Sequence, residues 1–431
     1  MRLIFSNLFK IDHHTLYTLV YRFWGVIAGG ATILVLPLYI TPDAQGYYYT
    51  FSSLLALQVF FELGFNQVIS LQVSHSYGFF KNDKLDDGFN DLLFFVHRWY
   101  LVVCILFLVL VGLGGVLFFS YKNDEATNNW IGIWLLLVIF NALNLWLSPN
   151  LAILEGFGKV GQVARLRFLQ SFIGFALFWV ALNLNFGIWA MVFIPATASI
   201  STYFWLYKMG AVPKYYKNKP TIGINWKKNI LPMQWRIAVS WISGYLIFNL
   251  FNPIIFQKFG SIEAGKIGMS LSIFSAISTI GMSWVNAKSP EFAVYISEGK
   301  RKNLNILFRE TFAKSLAAVF GMSILFILFI LIFLKKNIYI AERIAPIDVL
   351  ILLAVASVVN TAIFSMAIYM RAHKEEPMLF QTITCGVLIG FSTLYGSEIS
   401  LIMIFILYVT VLTLISLPWT IITFNKYRKL V

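Results

Sequence analysis

Long apolar stretches set the rhythm of this chain. They lie roughly at 18–40, 47–73, 92–119, 130–153, 166–184, 187–207, 230–256, 267–287, 311–334, 347–370, 378–396 and 399–424, with short polar segments between them. About 20 residues rising 1.5 Å each cross a hydrocarbon core of ~30 Å, so every stretch has the length of a membrane span. Backbone groups in hydrocarbon have only one another to bond, which predicts an α-helix for each. The expected fold is therefore all-α, with about twelve transmembrane helices. Composition agrees: 59% of residues are hydrophobic and 12% charged, and the mean hydropathy is +0.77. Soluble domains hold about 45–50% apolar and about 25% charged residues. The surplus must face lipid.

The net charge of +14 gains meaning from where the charges sit. With the N-terminus taken as cytoplasmic, alternate loops collect 27 of the 33 Lys and Arg residues on the cytoplasmic side. Six fall on the other face: Lys122, Lys258, Lys266, Lys335, Lys336 and Arg343. This asymmetry fits the positive-inside rule and puts both termini in the cytoplasm of a multi-pass inner-membrane protein. No basic run sits on a separate polar domain, so nucleic acid is not an expected partner. The first 15 or so residues carry Arg2, Lys10, Asp12, His13 and His14 and lack a signal-peptide core, so the first span is expected to be retained. Cys104 and Cys385 lie in apolar runs without metal or redox spacing and are expected to pack.

The two halves resemble each other at a nearly constant offset. Arg22 and Arg236 are 214 apart, and Pro37 and Pro253 are 216 apart. Asn90-Asp-Leu-Leu-Phe94 matches Asn305-Ile-Leu-Phe308 at 215. The turn Ile153-Leu-Glu-Gly-Phe-Gly-Lys159 stands opposite Ile368-Tyr-Met-Arg-Ala-His-Lys374 at the same offset. Six spans per half give both halves the same orientation, related by an axis along the membrane normal. The expected domains are an N-terminal lobe, 1–214, and a C-terminal lobe, 215–431, joined by a basic linker near 208–229. Such a pair of pseudo-symmetric lobes is expected to enclose a central cavity holding the substrate site.

Glu62, in Phe60-Phe-Glu-Leu-Gly64, is the clearest charged residue inside a span. Such residues are costly and usually face a partner or a cavity. Arg22 lies at a comparable depth in span 1, so a Glu62–Arg22 pair is expected; it either fixes helix packing or serves as a gate or coupling-ion site. Arg98, Arg236, Lys288, Arg309 and Lys314 lie near cytoplasmic helix ends, where they either snorkel to headgroups or line a cavity. Arg22 and Arg236 stand out because they recur at the repeat offset, and a guanidinium fork suits a diphosphate. Pro37 and Pro253 are hinge candidates by the same recurrence, and Gly25-x-x-x-Gly29 permits close helix packing.

Several chemistries lack their signatures. Gly156-Phe-Gly-Lys159 is followed by Val160 and is not a phosphate-binding P-loop. No catalytic residue, metal site or cofactor is expected, and no outer loop is long enough for a catalytic domain. The expectation is a transporter, not an enzyme.

The stretch from Arg22 through Thr41-Pro-Asp-Ala-Gln-Gly-Tyr-Tyr-Tyr-Thr-Phe51 to Phe61-Glu-Leu-Gly64 resembles the O-antigen flippase family (Wzx), as does Leu154-Glu-Gly-Phe-Gly-Lys159. That family belongs to the polysaccharide-transport branch of the multidrug/oligosaccharidyl-lipid/polysaccharide exporter superfamily. The resemblance implies two six-helix lobes around a cavity open alternately to either side. It also implies a role in lipopolysaccharide biosynthesis. The implied cargo is an undecaprenyl-diphosphate-linked oligosaccharide flipped to the periplasmic leaflet, driven by membrane potential or an ion gradient. Membrane lipid and the O-antigen polymerase are the implied partners. Lipid II flippases carry cavity arginines on their first, second and eighth helices. Here Arg22 matches the first, whereas span 2 carries Glu62 and span 8 ends in Lys288. The alternatives are another exporter of the superfamily, such as a drug/cation antiporter or a lipid II or teichoic-type precursor flippase, and a membrane polymerase or ligase.

Overall fold

The computed structural model describes residues 13–77, 87–121, 130–209, 231–373 and 377–430, and all regular structure among them is helical. The expected linker near 208–229 falls almost wholly outside the described residues. So do the first twelve residues and the segments carrying Lys81, Lys84, Lys122 and Lys374.

In chain order the first half forms α1 (His13–Tyr39), α2 (Pro42–Leu55), α3 (Gln58–Glu62), α4 (Phe65–Tyr77), α5 (Asp87–Ser120), α6 (Trp130–Gly156), α7 (Val160–Asn183) and α8 (Phe193–Lys208). The second forms α9 (Leu231–Phe248), α10 (Phe251–Phe259), α11 (Ser261–Ser297), α12 (Arg301–Lys335), α13 (Tyr339–Glu342), α14 (Ile347–Arg371), α15 (Leu379–Ile399), α16 (Leu401–Val411) and α17 (Leu417–Leu430). Among the described residues, 11 helices are long and apolar enough to cross a membrane, or 12 if α2–α4, bent by 44°, counts as one span. The twelve predicted spans all have their counterpart.

Helix ends follow local chemistry. Pro42 opens α2, where its missing N–H costs nothing, and the Ala44 N–H donates to Thr41 Oγ1 at 3.2 Å. The Leu412–Ser416 segment widens to a π turn just before Pro418, which cannot donate to the carbonyl four residues back. There Gln381 Nε2 donates to Ser416 Oγ at 2.5 Å.

The chain divides into two compact units. One comprises residues 1–40 and 54–241, the other 41–53 and 242–431. Within each unit the same helix partnerships recur. In the N-terminal unit α1 packs on α7, α4 and α5 on α6, and α8 on both α6 and α7. In the C-terminal unit α10 packs on α15, α11 and α12 on α14, and α16 on both α14 and α15. Each pairing in one set is the repeat equivalent of a pairing in the other.

Residues 41–53 join the C-terminal unit through backbone-close packing. A Cβ on Gly46 would lie 1.9 Å from the Ser261 carbonyl oxygen, and one on Gly268 would lie 2.4 Å from Tyr49 Cβ. Small residues admit this approach, as they do at membrane helix crossings generally. Gln45, 1% exposed, fills the crossing and donates to the carbonyls of Gly265 at 2.9 Å and Arg343 at 3.1 Å. Arg343, one of the six basic residues assigned to the non-cytoplasmic face, is only 3% exposed. Its guanidinium lies 4.7 Å from the Tyr339 ring centroid, and the ring with its hydroxyl takes the place of water.

Gly46→Leu should lower the apparent melting temperature of the solubilised protein, since overpacking costs about 1–3 kcal/mol even where side chains can yield. Gly25→Ala should not lower it, because nothing lies within 4 Å of a Cβ there and alanine is the better helix former. Equal behaviour of the two variants in a thermal unfolding assay would contradict the packing described.

Candidate functional site

The N-terminal unit holds a polar cluster built around a break in a membrane span. Helix α3 ends at Glu62 because Leu63 turns left-handed, at φ 51°, and Gly64 follows at φ 67°. Two successive positive φ values end the hydrogen-bond ladder, and the chain restarts as α4. The Leu63 carbonyl left at the break accepts from Gln234 Nε2 at 2.8 Å. The backbone there is satisfied by a side chain from α9.

Glu62 sits at the end of this broken segment. Its carboxylate accepts from Asn66 Nδ2 at 2.5 Å, one helical turn on. Asn66 Nδ2 also reaches Ser148 Oγ at 2.9 Å, and the Tyr100 hydroxyl donates to Asn66 Oδ1 at 2.8 Å. Three spans thereby converge on one amide: α4 supplies Asn66, α5 Tyr100 and α6 Ser148. Ser148 is placed by its neighbour. Pro149 cannot donate to the Leu145 carbonyl, and the Ser148 hydroxyl does so instead at 2.9 Å. One residue beyond Pro149, buried Asn150 places its Oδ1 3.0 Å from His97 Nε2, while His97 Nδ1 meets the Leu93 carbonyl at 2.8 Å.

No basic side chain pairs with Glu62 among the described residues. The expected Glu62–Arg22 pair is not formed. Arg22 is exposed on α1, whose packing partner is α7, whereas Glu62 is held by Asn66 of α4, which is itself bonded to α5 and α6. The cation whose field reaches Glu62 is Arg167, itself paired with Glu155 at 3.1 Å. A carboxylate surrounded by amides and hydroxyls at a helix break can hold a proton or exchange it for a small cation. Among the described residues no group of three or more His, Cys, Asp or Glu side chains is placed to hold a metal ion.

The remaining candidates are dispersed. Arg98 is exposed on α5. Arg236 lies on α9, with its side chain outside the described residues. Lys288 is exposed on α11 and pairs with Glu291 at 2.7 Å, and Glu291 also accepts from the Tyr295 hydroxyl at 3.1 Å. Pro37 is buried in the last turn of α1, and Pro253 is buried in α10. Sequence reasoning singled out Glu62 and missed Asn66, Tyr100 and Ser148. Asn66 carried a usable signal, an amide four residues from an acid inside a predicted helical span.

Replacing Asn66 with Leu removes the amide that Glu62, Tyr100 and Ser148 share. It should cost about 2–4 kcal/mol in reversible denaturation, since each buried group left unsatisfied loses about 1–3 kcal/mol. Ser148→Ala should cost less, about 1–2 kcal/mol, because it removes one of the two acceptors of Asn66 and leaves the Leu145 carbonyl without its donor. An Asn66→Leu variant as stable as the parent would contradict the network.

No family model and no curated protein matches the sequence. Solved structures do match. The chain is similar to the lipid II flippase MurJ in an inward closed conformation, with a TM-score of 0.65 at 13% identity over 95% of this chain and 87% of that one. It is similar to an inward-facing multidrug resistance MATE family transporter of the MOP superfamily, with a TM-score of 0.58 at 15% identity over 94% and 99%. A MOP superfamily transporter from Pyrococcus furiosus gives 0.54 at 12% over 96% and 95%. At these identities the likeness speaks for architecture, and the chain is thereby an all-α membrane protein with the helical fold of MOP superfamily transporters.

Proposed function

We propose that this protein is a flippase that moves an undecaprenyl-diphosphate-linked oligosaccharide, the O-antigen repeat unit, across the bacterial inner membrane by alternating access. The observation that carries the reading is Glu62: an ionisable group inside a broken span, held by Asn66 with Tyr100 and Ser148 behind it. An intramembrane carboxylate with neutral partners is a functional group by default, because hydrocarbon penalises it and packing alone needs no acid. The fold adds support, since its solved relatives include a lipid II flippase and multidrug transporters. The asymmetry of 27 basic residues against six supports cytoplasmic termini.

A diphosphate with attached sugars cannot cross hydrocarbon unaided, since bare charges there cost many kcal/mol. Polar and cationic protein groups replace the lost water. In this reading Arg22, Arg98 and Arg236 supply the cationic groups that meet the diphosphate, Glu62 is the coupling or gating group, and Pro37 and Pro253 are hinges. Lys288 is the weakest member, because Glu291 already neutralises it. An inside-negative potential contributes about 2.3 kcal/mol per exported negative charge per 100 mV. Two charges gain roughly 4–5 kcal/mol, enough to drive export without ATP. The polymerase that uses the exported unit is the natural protein partner of the pathway.

Deleting the gene should cause one specific undecaprenyl-linked glycan to accumulate in the cytoplasmic leaflet, read by mass spectrometry of extracted lipids. Glu62→Gln and Arg22→Ala should each abolish complementation while the protein remains in the membrane. Full complementation by both variants would refute these roles, and an unchanged lipid profile on deletion would refute the cargo.

A further inference from the structure

The C-terminal unit contains a cavity of about 310 Å³ that the Glu62 chemistry does not use. Its walls come from one face of α11, through Ser275 and Ser278, and one face of α14, through Asn360 and Phe364. Phe248 of α9 and Tyr408 of α16 complete it. The spacing of three or four residues along each helix explains why these side chains share a wall.

Asn360 Nδ2 donates to the Tyr408 hydroxyl at 3.0 Å. That bond uses one amide hydrogen and orients the phenol, whose own proton stays available to a ligand. The Ser275 and Ser278 hydroxyls make no hydrogen bond among the described residues. At the mouth, the Phe248 and Phe364 rings lie 6.0 Å apart at 38°, exposed by 43% and 41%. Among the described residues no Lys, Arg, Asp or Glu lines the space.

This chemistry selects a ligand class. A diphosphate would find no cation and would pay its full desolvation cost. A cationic drug would find no carboxylate, only ring faces. A lipid chain would leave the Ser278 hydroxyl, the second Asn360 amide hydrogen and the Tyr408 phenol proton without a partner. A neutral ring with hydroxyls on its edge and C–H groups on its face meets both kinds of wall at once, and the volume lies within the range of ligand pockets.

We propose that this cavity binds an uncharged sugar unit of the cargo, so that glycan recognition resides in the C-terminal unit. The proposal rests on the flippase reading and adds where, and by which groups, the glycan is distinguished from its carrier.

The test uses the full-length protein in nanodiscs and two probes. One is the undecaprenyl-diphosphate-linked glycan extracted from cells lacking the gene, and the other is synthetic undecaprenyl diphosphate. The wild type should bind the glycan lipid at least about tenfold more tightly, the equivalent of one or two hydrogen bonds. Ser278→Phe, which fills the cavity, and Asn360→Leu should each erase that preference and leave undecaprenyl diphosphate binding unchanged. Phe248→Ala, a gentler change at the mouth, should weaken the glycan lipid alone. A preference that survives all three variants would overturn the proposal, as would a wild type with no preference. Equal losses for both probes would also overturn it and would make the carrier chain the occupant. A wild type that binds neither probe would remove the flippase reading itself, a result distinct from the others.

Discussion

Polar groups inside hydrocarbon must find partners within the protein, and that constraint organises every informative feature of this molecule. Regular helix meets it along most of each span. Where the helix fails, a specific side chain takes over. Gln234 satisfies the Leu63 carbonyl at the break after Glu62, and the Ser148 hydroxyl satisfies the Leu145 carbonyl that Pro149 leaves free. Gln381 answers the π turn before Pro418. These substitutions let irregular backbone exist at membrane depth, and irregular backbone is what allows a carboxylate to sit there.

The two units share helix partnerships but not chemistry. Glu62 falls opposite Ile277 at the repeat offset of 215, and Pro149 opposite Phe364. One unit therefore carries an ionisable cluster where the other carries a neutral, aromatic-walled cavity. A cargo with a charged carrier and uncharged sugars has use for both.

Much of the architecture was legible in the sequence, because a span must be about 20 apolar residues long whatever it packs against. Every predicted span is a helix or, for the second, a bent series of helices. What one-dimensional reading missed has a common cause in tertiary placement. Arg343 counts in sequence only as a basic residue of one face, yet its guanidinium lies over the Tyr339 ring and its carbonyl accepts from Gln45. Residues 41–53 lie within the first half in sequence but pack with 242–431, because Gly46 and Gly268 let two helices touch at their backbones. Glu62 stood out by its charge, and the expected Arg22 partner followed from depth alone. Depth does not fix the direction a helix faces, and the carboxylate's partner proved to be Asn66, an amide shared with Tyr100 and Ser148 from two further spans.

The central claim is that protein polar groups replace water for a charged headgroup while its lipid tail stays in oil, so that the membrane field acts on the cargo. Reconstituted proteoliposomes test this directly. The purified protein and its lipid-linked glycan would be incorporated together, and the glycan exposed on the outer surface measured with and without an imposed potential. The account predicts protein-dependent exposure that increases when the interior is made negative. Exposure no faster than in protein-free liposomes, or indifferent to both potential and ion gradients, would contradict it.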